Sequence, residues 1–192
     1  MNEAWRQVGV PYARVGAVVG QGSTIGLPVL DEPAVRAALA GVMDPELPML
    51  SVIDLGIVHR IEVFSGDGPI RVEILPTFVG CPALELIKAS IADRLGAFGR
   101  TVEVEATFAV PWTSERITDD GRRALLEAGI APPGTDSAGV VSGGFINLEP
   151  RVPCPHCGSR RTILENVFGP TQCRSLYHCR ECRQPFEAMK PI

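Results

Sequence analysis

No apolar run in this chain approaches the roughly 20 residues that a membrane-spanning helix requires, so no span and no membrane partner are expected. The N-terminus has no basic cluster, and Gly, Pro and Arg14 interrupt its apolar residues, which does not match a secretory pattern. Both absences predict a cytoplasmic protein. Histidine is scarce, with three in 192 residues and none paired with another at metal-binding spacing. Lys and Arg number 18 against 22 Asp and Glu. An acidic chain of this kind lacks the basic face that nucleic-acid binding needs, so a nucleic-acid partner is not expected.

What remains is an ordinary globular composition, 45% hydrophobic and 21% charged, long enough for one sizeable core plus a small module. The charge is unevenly spread. Residues 151–192 carry seven Lys/Arg against three Asp/Glu, a net +4, which leaves −8 on residues 1–150. There are six cysteines. In a reducing compartment these point to metal ligands or reactive thiols before disulfides.

Residues 1–30 show no period of two or 3.6 and read as a flexible or irregular tail, the alternative being a segment that orders on a partner. Asp31 is the N-cap of a helix whose apolar face carries Val35, Leu39, Val42 and Met43, running to about Gly41 or Met43. Asp44-Pro45-Glu46-Leu47-Pro48 must be a loop, because two prolines so close together exclude a regular helix. Ile57–Phe64 and Ile70–Leu75 alternate and pair as a hairpin across the Gly-rich 65–69 turn. His59 lies inside the first of these strands and reads as structural. A helix follows from Pro82 with Leu84, Ile87, Ile91 and Leu95 on one face. Thr101–Val110 is a third strand, and Thr118–Gly129 is a short helix with an acidic first turn and a glycine stop.

The corner Pro76-Thr77-Phe78-Val79-Gly80-Cys81-Pro82 joins the second strand to the helix. With Pro82 in the first helical turn, Cys81 falls at the N-cap. There the helix dipole and free N–H groups would lower the thiol pKa and favour a thiolate. Gly80 permits a tight turn. The structural alternative is a small buried apolar cysteine. Asp44, Glu46 and Asp54 form either a ligand or base cluster or ordinary turn and cap residues.

Cys154-Pro-His-Cys157 and Cys179-Arg-Glu-Cys182 are two C-x-x-C pairs separated by 21 residues. Four thiolates suit tetrahedral zinc at about 2.3 Å, with rubredoxin-type iron as the other occupant. A segment this small has too little core to fold without its metal. Cys173 is left over as a spare thiol, a wrong-register ligand or part of a second site. The fold class expected is α+β: a small sheet of about three strands with helices packed on it at 31–130, a linker at 131–149, and a zinc ribbon at 150–192.

Asp44-Pro45-Glu46-Leu47-Pro48, Asp54-Leu55-Gly56-Ile57-Val58 and Thr77-Phe78-Val79-Gly80-Cys81-Pro82, in this order around a hairpin, resemble the MIP-type iron-sulfur assembly domain also found in SufT-like proteins. Joined to a ribbon containing Phe168-Gly169-Pro170-Thr171-x-Cys173 and Leu176-Tyr177-x-Cys179, the chain resembles the PaaD family. That family is associated with the phenylacetyl-CoA epoxidase of aerobic phenylacetate degradation. The resemblance implies a non-catalytic accessory protein that helps mature the oxygenase, either its di-iron subunit or its iron-sulfur reductase. It implies structural zinc, and transient iron or an iron-sulfur cluster held through Cys81, with Asp44, Glu46, Asp54, Thr77 and Gly80 shaping the site. A stable cluster needs about four ligands, so a homodimer or a client must supply the rest. Two rival functions are a cysteine-nucleophile enzyme, for which no base arrangement is visible, and a zinc-ribbon module that binds nucleic acid or protein without transferring metal.

Overall fold

The computed structural model describes residues 30–78, 80–134 and 152–191. The stretch read as a tail therefore lies outside the described residues up to residue 29, as does most of the linker. No helix among the described residues is long and apolar enough to cross a membrane.

Helix α1 (Glu32–Leu39) begins where the sequence places it, with the Asp31 carboxylate accepting from the Ala34 N–H at 2.9 Å. It ends at Leu39, short of the expected Gly41 or Met43. Val35 and Leu39 are fully buried, whereas Met43 is 44% exposed because the chain has already left the helix. From there the backbone turns into a loop closed at its neck by a Met43–Ser51 bridge and by the Asp44 N–H on the Leu50 carbonyl at 2.9 Å. Leu47 and Leu50 anchor the loop in the core.

Strands β1 (Val58–Val63) and β2 (Ile70–Ile74) pair antiparallel as expected. The register slips between Val58 and Arg60, which makes His59 an exposed bulge residue of the kind that bends an edge strand. Helix α2 (Leu84–Gly96) then crosses to β3 (Val102–Ala106), which lies parallel to β2. Ile87, Ile91 and Leu95 recur at four-residue intervals and bury one face of α2 against the sheet, with Leu84 packed at its margin. Strand β3 ends four residues earlier than expected, and Phe108 and Val110 are left exposed beyond it.

A single 3-10 turn (Ser114–Arg116) leads into α3 (Asp119–Glu127), capped by the Thr118 hydroxyl on the Gly121 N–H at 3.0 Å. After Gly129 the chain enters a short strand, β4 (Ile130–Ala131). The ribbon contributes β5 (Thr162–Asn166), β6 (Arg174–Cys179) and β7 (Pro185–Met189), giving a second sheet in the order β4-β7-β6-β5. The fold is thus two small mixed sheets, one carrying helices and one carrying the four-cysteine end.

The two halves share more than a linker. Strand β4 pairs parallel with β7, so Ala131, the first residue of the expected linker, lies in the ribbon's sheet. Met189, the last residue of β7, is 2% exposed and belongs to the same apolar cluster as α1 and α2. Burial of a methionine side chain contributes about 1.5–3 kcal/mol, so the ribbon is docked by core packing as well as by backbone pairing.

Candidate metal centre and the Cys81 cleft

The four ribbon cysteines converge. Cys154 and Cys182 sulfurs stand 3.7 Å apart, Cys157 and Cys179 sulfurs 3.6 Å apart, and all four lie within 4.8 Å of one another. A tetrahedral zinc with bonds of about 2.3 Å separates its sulfurs by roughly 3.8 Å, so the donor set fits zinc. Each pair sits in a tight turn whose N–H groups face sulfur. The Cys182 N–H brings the Cys179 thiol down to about 6, with help from Glu181 and against desolvation. Zinc bound there would cross-link the ends of β5, β6 and β7 and hold together a module whose apolar cluster, among the described residues, has six buried members including Ala131 of β4. Its chemistry is structural, because four thiolates leave no open coordination position.

The second feature is a small cleft of about 20 Å3, lined by Asp44, Thr77, Cys81 and the apolar residues Leu55, Ile57 and Ile87 among others. Three of the residues singled out in the sequence therefore meet. Asp44 is 6% exposed, and its Oδ1 accepts from the N–H groups of Glu46 at 2.8 Å and Leu47 at 2.9 Å. This carboxylate folds the Asp44-Pro-Glu-Leu-Pro loop around itself. Burial nevertheless raises its pKa, against those two N–H groups and Arg174.

Cys81 corrects the sequence reading on two points. The helix starts at Leu84 with Ala83 at its N-cap, so Cys81 precedes it and is not the cap. Its thiol pKa is raised, not lowered. Desolvation in the apolar cleft is the largest cause, and Glu46, Asp44 and Cys173 add to it, while the Ala83 N–H alone opposes them. One N–H does not outweigh an apolar wall and two acids. The ordinary state of Cys81 at neutral pH is thus the protonated thiol, and a metal must displace its proton to bind.

Glu46 does not line the cleft, but its carbonyl accepts from Arg174 Nη2 at 3.4 Å. Gly80 is exposed, with φ +83 and nothing within 4 Å of where a Cβ would stand, so it serves the turn and not a close approach. Asp54 faces elsewhere. Its Oδ2 accepts from the Ser51 hydroxyl at 2.6 Å and its Oδ1 from the Thr118 hydroxyl at 3.0 Å, which ties the loop to the start of α3. Gly56, next to it, has φ +69 and passes so close to the Arg116 carbonyl that a Cβ would stand 2.1 Å from its oxygen. The Asp-Leu-Gly motif is therefore a docking point for residues 112–118, and it shapes the cleft only through Leu55 and Ile57.

Sequence reasoning missed Arg174. Its guanidinium spans Glu187 at 2.6 Å, the Thr171 hydroxyl at 2.8 Å and the Glu46 carbonyl, holding the ribbon against the loop of the first domain. An Arg in an exposed-looking ribbon gives no sequence signal for such a bond. Cys173 lies beside it, 7% exposed, outside the four-sulfur group.

Two family models match the chain, one for each of its two parts. Residues 32–108 match the family described as iron-sulfur cluster assembly protein, and residues 143–190 match the PaaD zinc beta ribbon domain. The crystal structure of a DUF59 domain from Bacillus anthracis is 26% identical, covering 49% of this chain and 90% of its own, with a TM-score of 0.46. A conserved hypothetical protein from Thermotoga maritima is 30% identical, covering 50% and 95%, with a TM-score of 0.44. A protein of Escherichia coli strain K12, provisionally named as one of the subunits of 1,2-phenylacetyl-CoA epoxidase, is 37% identical over 171 residues, 88% of this chain and 98% of that protein. With both modules in one order and similarity running along nearly the whole of such a relative, the chain belongs to the PaaD family.

Proposed function

We propose that this protein is a non-catalytic, cytoplasmic accessory factor for a phenylacetyl-CoA epoxidase in aerobic phenylacetate degradation, and that it carries iron to the oxygenase complex during its maturation. Residues 31–130 are the unit that handles the iron, and residues 150–192 are a zinc-held unit that docks beside it. The observation that carries the reading is a half-buried thiol, Cys81, in an apolar cleft beside a buried carboxylate, Asp44, within a domain of the iron-sulfur assembly family. The relative's name supplies the system that this iron would serve.

The cleft suits cargo better than catalysis. Cys81 is a soft donor matched to iron and poorly matched to magnesium or calcium. Its raised pKa means that iron must expel a proton, and a proton returning to the sulfur releases the iron again. Asp44 lends negative charge that favours a cation, while Thr77 and the apolar walls limit water at the sulfur. The Gly80 turn, with φ +83, leads directly into Cys81, whose half-buried thiol lines the cleft.

The test is co-expression of the epoxidase subunits with wild-type or Cys81→Ser protein. The variant should fold, keep its ribbon zinc and lose no more than about 1 kcal/mol of stability. The oxygenase made beside it should accumulate but be short of iron or cluster, with activity falling in proportion. Equal iron and equal activity in both would make Cys81 a packing residue.

A further inference from the structure

Arg174 belongs to the ribbon, yet its contacts lead into the wall of the Cys81 cleft. It opens β6 opposite Met189, the residue that enters the first domain's core. Its side chain is only 12% exposed, and its guanidinium is fixed inside the ribbon on two sides, by Glu187 at 2.6 Å and by the Thr171 hydroxyl at 2.8 Å. A planar fork already oriented in this way loses little freedom on making a further bond. That further bond leaves the ribbon, from Nη2 to the Glu46 carbonyl at 3.4 Å.

The carbonyl belongs to the planar peptide group that joins Glu46 to Leu47, and the N–H of the same group donates to Asp44 Oδ1 at 2.9 Å. One rigid amide therefore has the guanidinium at its oxygen and the carboxylate at its N–H. The Glu46 N–H meets the same carboxylate oxygen at 2.8 Å. A cation on the carbonyl polarises the amide and strengthens the N–H as a donor. The peptide plane cannot turn without straining both bonds, so the place where the ribbon holds Arg174 bears on how Asp44 sits in the cleft wall.

We propose that Arg174 is a positioning residue of the Cys81 cleft: through the Glu46–Leu47 peptide, the zinc-held ribbon sets the Asp44 carboxylate beside which Cys81 takes up its iron. The inference rests on the iron-carrying reading above and deepens it by giving the ribbon a part in the same site. The loop has anchors of its own, Leu47 and Leu50 in the core and the Asp44 N–H on the Leu50 carbonyl. These hold its neck and its apolar side. Arg174 adds a positive charge on the far side of the peptide, which partly offsets the cost of burying the Asp44 charge. Strand β6 runs from Arg174 at the loop to Cys179 in the four-sulfur group, so a single strand connects the metal centre with the cleft.

The experiment uses the full chain, purified without oxygen and with zinc in the ribbon, as wild type, as Arg174→Ala and as a double variant, Arg174→Gln with Glu187→Gln. The double variant removes the guanidinium without leaving the Glu187 carboxylate unpaired. Both variants should keep their zinc. Followed by NMR, the Glu46 and Leu47 amides should exchange hydrogen about tenfold faster in the variants, the loss expected for a bond to a charged group. The Ile87 N–H, bonded to the Ala83 carbonyl at 2.9 Å in the core-facing helix, should keep its rate. Ferrous iron, titrated alone, should bind about tenfold more weakly, as when the partner behind a ligand is lost. Unchanged exchange at Glu46 and Leu47 overturns the proposal, and so does wild-type iron affinity in the variants. Exchange that speeds up equally at Ile87, or failure of both variants to fold, overturns it too, because Arg174 would then serve stability alone. Each of these results leaves the Cys81 reading standing. Wild-type protein that takes up no iron overturns that reading and this proposal together.

Discussion

Adding one methyl group at Gly56 and at Gly80 should have very different effects, although both glycines sit in motifs shared with the family and both have positive φ, +69 and +83. At Gly80 nothing lies within 4 Å of the new Cβ. Alanine there costs only its left-handed backbone, about 1–2 kcal/mol. At Gly56 the Cβ would stand 2.1 Å from the Arg116 carbonyl oxygen and 2.6 Å from its carbon. That carbonyl cannot retreat freely, because the same segment is held to the Asp-Leu-Gly corner by Trp112 Nε1 on the Leu55 carbonyl at 3.0 Å and Arg116 Nε on the Gly56 carbonyl at 2.8 Å. Relieving the clash means losing at least one of these bonds, about 1–3 kcal/mol for a buried group left unpaired. Gly56→Ala should therefore cost roughly 2–5 kcal/mol in all, and Gly80→Ala no more than about 2. Denaturant unfolding followed by Trp112 fluorescence, in a Trp5→Phe background with zinc present, reads the difference at the contact itself. Equal midpoints for the two variants would refute the argument that close approach, and not the turn alone, requires Gly56.

Replacing Cys154 by Ser, or stripping zinc with a chelator, should release about one zinc per chain and unfold residues 152–191. It should also lower the stability of the first domain by about 1.5–3 kcal/mol, because Met189 leaves its core; an unchanged Trp112 midpoint would show that the halves are energetically independent. Asp44→Asn keeps an oxygen for the Glu46 and Leu47 N–H groups and removes a charge that burial disfavours. A carboxyl whose folded pKa is raised above 3.8 destabilises the fold progressively as pH rises through the interval between the two values. The variant should gain on wild type from acid to neutral pH, while binding ferrous iron less well. A stability difference that does not vary with pH would mean that Asp44 acts through its hydrogen bonds alone.

Much of the architecture is legible because it depends on local chemistry. Asp31 and Thr118 cap helices with their own side chains, and the four-residue spacing of Ile87, Ile91 and Leu95 can only be a buried helical face. The C-x-x-C pairs read directly as one metal centre. Strand ends are less legible: β3 stops at Ala106 although the alternation runs on to Val110, because β2, its partner, ends at Ile74. The state of Cys81 escapes the sequence for a related reason. A proline after a cysteine is a sound local sign of a helix start, but the pKa of the thiol is set by the apolar residues and acids that other segments bring to it.

The sequence by itself determined the periodic elements, the Asp31 cap, the grouping of the four ribbon cysteines and the family, since each is written in residues close together or at a fixed spacing. Tertiary structure alone decided that Asp54 points to Thr118 and not to Cys81, and that Gly56 answers to Arg116. It alone brought Met189 into the core built around α1 and α2, and set Cys173 and Arg174 against the Asp44–Leu47 loop, 128 residues away from Glu46 to Arg174. Contacts of that kind depend on how two sheets dock, and docking is settled by the sum of buried area and paired backbone across both halves, which no local pattern records.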